Sequence, residues 1–428
     1  MQISAFARKQ TASAIVTALA VLPTLALHAQ SRPIRADTLS ARARDSLIAS
    51  VLEDTIVPPL RGSQHLSAVR QTVSIRPTWR TYHVGQIDAN EQATATTFIT
   101  RYQRATLRFA VTPVAYRGDT STSASPPQVS FGGASPISGR LDLRVRSADT
   151  LRVFGQTASF PGTLTASDAQ AVGAVGTSTI DLDAAILGSA ARIGTRYALT
   201  QGVGAGVSLS LRGGVEYDPK PTSTQQVSWR GTTVRGGVGL SHASASTTIG
   251  ASAEVTHSYT DSLGGRNLYP GGGALNVEAR TFHTYGVERT GFVAVNAFYS
   301  KPIDIQRPDV PTRIIPIGDF MGVTTAMAVP LGPLTMLPTL TVLRESSQGE
   351  TTVNGVKNTR KASGNTASLS LALLLPLGRH LSLTPEGGVA FGSVGQTTSA
   401  QYPLRPQRRT FSDTIRGNFF AIDFTVSR

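Results

Sequence analysis

Cysteine is absent from all 428 residues, and lysine stands only at positions 9, 220, 301, 357 and 361. Aromatic residues make up 6% of the chain. No apolar run of the ~20 residues a membrane helix needs occurs beyond the first thirty or so positions. Each scarcity excludes something. Without cysteine there is no disulfide framework, no thiolate metal centre and no cysteine nucleophile. Without a long apolar run, the body of the chain has no transmembrane helix. The formal charge of +14 is carried almost entirely by arginine. Those arginines are spread along the chain rather than gathered into a basic tail, which argues against a nucleic-acid partner.

What is present divides into three parts. Residues 1–29 carry Arg8 and Lys9, an apolar stretch from Ala12 to Leu27, and the small residue Ala29. That order is expected of a secretory signal peptide, and its removal leaves a charge of +12 (14 − 2). Residues 30–65 place Leu39, Ala43, Leu47 and Val51 at helical spacing behind Asp37, an N-cap candidate, before Pro58 and Pro59. This segment is expected to be a short helix that plugs the rest of the fold or lies beneath it.

From residue 66 to 428 the period changes to two. In the stretch 203–218, Val203, Val207, Leu209, Leu211, Val215 and Tyr217 fall on odd positions, with Gly204, Ser208, Ser210, Arg212, Glu216 and Asp218 between them. Strands in soluble domains usually stop after ~5–6 residues, and this pattern runs more than twice as far. The segment 364–377 repeats it with Leu369, Leu371, Leu373, Leu375 and Leu377 on one face. The chain closes on Phe420, Ile422, Phe424 and Val426, an apolar alternation of the kind barrel-insertion machinery reads, followed by a short overhang.

About 14 such segments are expected, within a range of 12 to 16: 67–84, 93–116, 138–155, 179–199, 202–218, 226–241, 245–260, 274–285, 288–300, 316–330, 333–346, 364–377, 380–396 and 413–428. Tight links alternate with long polar ones, with a single violation at 118–137. Hydrocarbon leaves no solvent for backbone N–H and C=O groups, so only helices and closed barrels cross it. Tilted strands need ~9–11 residues to do so. The expected fold is therefore all-β: a closed antiparallel transmembrane β-barrel in the outer membrane of a Gram-negative type of cell. A large secreted β-sandwich is the soluble rival.

The polar faces carry the candidate site. Arg70, Arg76 and Arg80 share a face in the first segment, and Arg108, Arg144, Arg152 and Arg212 point the same way in theirs. Glu216, Glu254 and Glu386 lie on those polar faces as well. Rings of arginine select anions, whereas interleaved acids would turn the same residues into ion pairs that fill the lumen. The interleaving favours ion pairs. No Gly-x-Ser-x-Gly or His-Glu-x-x-His occurs, so no enzyme, cofactor or metal is expected. His242 with Ser244 and Glu254, or His257 with Glu254, are the acid–base sets that the sequence offers. The glycine-rich Leu268–Leu275 lacks the lysine and helix of a P-loop and is expected to be an external loop re-entering a strand.

Two resemblances rest on these residues. Asp54-Thr55-Ile56-Val57 is similar to the short TonB-contacting box of energised outer-membrane receptors, but the remaining chain is too short for their plug and 22 strands. The whole arrangement resembles the outer-membrane transporters of long-chain fatty acids and aromatic hydrocarbons. That resemblance implies a 14-stranded barrel, an N-terminal hatch and lateral release of apolar substrates at a kinked strand, for which Ser147–Thr150 is the candidate. The family's Asn-Pro-Ala near the mature N-terminus is missing here. The function expected is passive passage of small hydrophobic or amphipathic solutes, with outer-membrane lipid as the surrounding partner. The alternative is a non-conducting surface scaffold.

Overall fold

The computed structural model describes residues 69–84, 87–120, 129–145, 149–159, 189–218, 231–259, 262–263, 266–267, 272–286, 291–303, 319–332, 334–353, 356–378, 380–401 and 407–427. The expected signal peptide, the helix within 30–65 and the Asp54–Val57 box lie outside them. Eighteen strands are described: β1 (Arg70–Val84), β2 (Ile87–Tyr102), β3 (Ala105–Thr120), β4 (Val129–Arg144), β5 (Thr150–Ser159), β6 (Ser189–Gly204), β7 (Val207–Asp218), β8 (Gly231–Ala243), β9 (Thr247–Ser258), β10 (Ser262–Leu263), β11 (Arg266–Asn267), β12 (Gly272–Tyr285), β13 (Gly291–Ile303), β14 (Phe320–Leu331), β15 (Leu334–Val353), β16 (Val356–Pro376), β17 (Leu381–Gln401) and β18 (Gln407–Ser427). All except β10 and β11, which pair only with each other, form one closed barrel of consecutive antiparallel neighbours. Closure is made by β1 on β18, in register from Thr72↔Ser427 to Val84↔Ile415.

The barrel therefore has sixteen strands, not the 14 that the sequence segments and the family resemblance imply. Both extra strands come from turns hidden inside single segments. Residues 93–116 fold back at Gln103-Arg104, where Tyr102 pairs with Ala105. Residues 138–155 fold back between Arg144 and Thr150, with the Val145 N–H donating to the Asp149 carbonyl at 2.9 Å. The lapse of alternation around 147–150 is thus a turn rather than a kink in a strand. With these turns in place, the link 121–128 joins the series of long ones, and the short links at that end are the two-residue 85–86 and 354–355.

All connections of one end are tight: 103–104, 145–149, 205–206, 244–246, 286–290, 332–333 and 377–380. Both termini of the barrel sheet lie there too. The opposite end carries the long links and the tall hairpins. Strands β15 to β18 run 20 to 21 residues and stay paired to Val353↔Val356 and Ala400↔Gln407. That is about twice the length a crossing requires.

The outer surface is a direct product of period two. Exposed large apolar side chains alternate along most of the wall, including Ile75 and Trp79 on β1, Leu209, Leu211 and Val215 on β7, and Leu369 and Leu371 on β16. A soluble barrel would not expose such a belt to water. Four of the prolines inside strands, Pro77, Pro113, Pro338 and Pro385, interrupt this wall in the same way. Each lacks an N–H, and beside each the pairing lapses on one neighbouring strand for two residues, then resumes in unchanged register.

Candidate functional site: the barrel lumen

The inward residues are the alternate set, and their charges meet in three groups. The largest lies on β6 to β9. A single oxygen of Glu216, Oε1, accepts from Arg196 Nη2 at 2.6 Å and Nε at 3.1 Å, and from Arg235 Nη2 at 2.6 Å. Arg235 Nη1 then donates to Glu254 at 2.6 Å, so one guanidinium bridges two carboxylates. Closer to the loop end, Arg192 Nε donates to Asp218 at 2.8 Å. Nearer the turns, Arg212 donates to the Ser252 hydroxyl at 3.1 Å. Gly194 makes room for the group: a Cβ there would stand 2.5 Å from the Phe154 ring and 3.0 Å from Glu216 Cγ. The Arg196 guanidinium lies over that same ring, 5.4 Å from its centroid.

The second group joins β4 and β5, where Asp142 accepts from Arg140 Nε at 2.6 Å and from Arg152 Nε at 2.7 Å. The third spans β17, β1 and β2. Arg76 pairs with Glu386 across the intervening β18, over Ala421, whose missing bulk lets the two side chains meet. Arg80 donates to Glu91 at 2.9 Å, and the Glu91 side chain is completely buried.

Of the arginines and acids picked out on the polar faces, Arg76, Arg80, Arg152, Glu216, Glu254 and Glu386 enter ion pairs. Arg212 is held by a hydroxyl, and Arg108 lies beside Arg140 in the β3–β4 register. Arg70 and Arg144 stand at the turn end and are exposed. Two partners escape a reading of the sequence. Glu91 precedes the segment that alternation marks from residue 93. Arg235 sits among glycines on the inward face of Gly231–Ala243, opposite Val234, Val238 and Leu240, and so stands alone as a charge in its strand.

Exposure divides the lumen lengthwise. Toward the turns, charged side chains are wet: 33% for Arg76, 37% for Arg152 and 26% for Arg140. Toward the loops most inward side chains are buried, the carboxylates of Glu91, Asp218 and Glu345 as well as Tyr82, Tyr116, Val394 and Ile415 on one side and Phe320 and Leu343 on the other. Phe298 packs on the latter pair, its ring 4.8 Å from that of Phe320.

The acid–base pairings suggested by sequence do not assemble. Glu254 faces the lumen, while His257 faces outward against Tyr259, 5.1 Å away between centroids. His242 is outward as well, and Ser244 holds its own turn through Thr247. Among the described residues no cluster of His, Asp and Glu is suited to a metal ion. Tyr217 and Tyr259 are exposed at the loop end, as interfacial aromatics should be, but Tyr197 lies in the middle of the wall opposite Gly213. Trp229 lies outside the described residues.

A closed, even-stranded antiparallel barrel with an apolar exterior and a charged interior defines the class: an integral β-barrel of the outer-membrane type. No family model and no curated protein matches the sequence. Among solved structures, the chain is similar to an outer membrane protein of Vibrio cholerae, OmpT, in a loop L8 deletion mutant. The identity is 8%, covering 85% of this chain and 100% of that one, with a TM-score of 0.39. It is also similar to OccK7 (OpdD) of Pseudomonas aeruginosa, with 10% identity, 84% and 99% coverage and a TM-score of 0.36. OpdO of the same organism gives 10% identity, 84% and 97% coverage and a TM-score of 0.32. Likeness at this level carries no argument about what this chain does. Nothing found points to the fatty-acid and aromatic-hydrocarbon transporters that the sequence architecture resembles.

Proposed function

We propose that the protein is a passive channel for small amphipathic or hydrophobic solutes. Sixteen strands enclose more space than wall side chains of one layer fill, as barrels of 16 strands can hold an aqueous channel. The observation that carries the reading is the lengthwise division of the lumen. Charged side chains toward the turns are water-exposed, whereas the loop half packs buried Tyr82, Tyr116, Ile415, Phe320 and Leu343 among ion pairs such as Arg80–Glu91 and Arg192–Asp218. In barrels of this class short turns face the periplasm and long loops face outward, so a zone of apolar side chains and closed ion pairs together is the first that an incoming solute meets, as suits an amphiphile. Pairing of the lumen arginines with acids removes the strong field a dedicated anion pore needs.

Purified protein in a planar bilayer should give discrete conductance steps with weak ion selectivity, and liposomes containing it should admit small amphiphiles. Absence of both would discard the channel. Deleting residues 30–65 tests whether that segment acts as a hatch: larger conductance supports it, and unchanged conductance removes it from the mechanism.

A second reading rests on the height of β15 to β18. Their paired strands continue well past the length needed for crossing, forming a ledge suited to a surface scaffold. It becomes the preferred reading if no solute passes.

A further inference from the structure

Charge on the outside of this barrel is confined to one end. Six charged side chains with described surroundings share the outward parity of their strands: Asp88, Arg117, Lys301, Arg344, Lys361 and Arg416. Every one lies in the half nearer the loops, and among the described residues no Arg, Lys, Asp or Glu projects outward from the turn-end half of a barrel strand. The two acids at this end with described surroundings are already engaged. Asp88 meets His83 at 2.7 Å, and Asp319, one residue ahead of β14 and level with Ser346, is hydrogen-bonded to the Tyr299 side chain. Among the described residues five cations thus stand outside the loop half, against a turn half whose outer face is uncharged.

Three of them gather on neighbouring strands. The register aligns Arg344, Asn365, Ser393 and Thr414 in one row across β15 to β18. With strands about 4.8 Å apart, that row spans roughly 14 Å. Arg416 lies two residues nearer the membrane, between His83 and Phe391, and Lys361 four residues farther out. Along β15 the next acid on this face by backbone position, Glu350, stands six residues beyond Arg344. Immediately on the membrane side come Leu340, Leu369, Phe391 and Phe420, exposed by 41%, 49%, 53% and 46%. Hydrogen-bond donors thus sit directly over a surface built for acyl chains.

We propose that this face docks phosphate-bearing lipids of the outer leaflet. Acyl chains lie along Leu369 and Phe391, Arg344 and Arg416 take lipid phosphates at the membrane edge beside Asn365 and Thr414, and Lys361 meets a headgroup farther out. Charge complementarity selects the anion, and continuity with the apolar belt selects a lipid over a free ion, which would have no use for the exposed aromatic and leucine beneath it. The proposal rests on the membrane-barrel reading and goes beyond it, since a channel needs no such asymmetry.

Trp79 reports on the site, because it stacks on Phe420 with 6.0 Å between centroids, just below Arg416. Trp229→Phe leaves it as the sole tryptophan. The full chain is reconstituted in phosphatidylcholine vesicles containing a minor fraction of brominated phosphatidic acid or, separately, brominated phosphatidylcholine. Brominated phosphatidic acid should quench Trp79 at about tenfold lower mole fraction. The triple variant Arg344→Gln, Lys361→Gln, Arg416→Gln should bring the two lipids level, while Arg344→Lys with Arg416→Lys keeps the preference and guards against misfolding. Equal quenching in the parent, or a preference surviving in the triple variant, overturns the proposal. So does loss of the preference on adding inorganic phosphate to the buffer, which would mark an ion site. Quenching by neither lipid would instead overturn the membrane reading itself.

Discussion

Glu216 shows how much of the lumen turns on one atom. Its Oε1 receives hydrogen bonds from both Arg196 and Arg235, and the carboxylate is buried between them. Removing it leaves two guanidinium groups of like charge facing each other; breaking a buried pair costs about 3–5 kcal/mol, and the 31% exposure of the Arg196 side chain places this loss at the lower end of that range. Glu216→Ala should therefore lower the urea midpoint of the refolded protein by that equivalent. Arg212→Ala removes one hydrogen bond to a hydroxyl and should cost about 1 kcal/mol. Equal losses in the two variants would show that the network does not act as one. The polar face that holds these residues is legible in the alternation of 203–218. Which acid meets which arginine is not, because partners such as Arg196 and Arg235 come from strands adjacent only after folding.

At the scale of the element, the hairpins explain the miscount of strands. Across the two-residue turn at 103–104 the outward phase changes from even, at Phe98 and Tyr102, to odd, at Leu107 and Phe109. That change of phase is the signal the sequence offers, since Gln103-Arg104 has none of the Gly, Asn or Asp that such turns favour. Across 145–149 the phase does not change. Leu143 pairs with Leu151, both odd, so alternation reads straight through the turn. Gln103 adopts φ of 48°, a left-handed conformation that costs a side-chain-bearing residue about 1–2 kcal/mol. Gln103→Gly should raise unfolding stability by up to about 1 kcal/mol, less than that cost because glycine also loosens the unfolded chain. A lower midpoint for the glycine variant would mean that the side chain itself holds the turn.

For the whole molecule, the sign of a substitution depends on the face it lands on. Leu211 is 52% exposed on the outside of β7, and its neighbour Arg212 is inside. An arginine on the lipid side costs about 2–4 kcal/mol near the midplane. Leu211→Arg should therefore destabilise the barrel in lipid by about that amount, well beyond the effect of changing Arg212. A similar cost for both would refute the assignment of faces. Closure makes a further demand. β18 is paired on both sides, to β1 and β17, so deleting Gln407–Ser427 leaves two open edges in hydrocarbon and should abolish folding into vesicles, as monitored by loss of strand signal in circular dichroism.

The order of side chains along the chain settled by itself that strands are long, that each has an oily and a polar face, and that lipid is the solvent outside. Those properties are local, since period two and strand length need only neighbours in sequence. Tertiary structure alone decided that there are sixteen strands, that the lumen arginines are answered by carboxylates in three groups, and that outward charge collects above Leu369 and Phe391. Those depend on register between strands, and register is fixed by the whole sheet closing on itself, a condition no single segment carries.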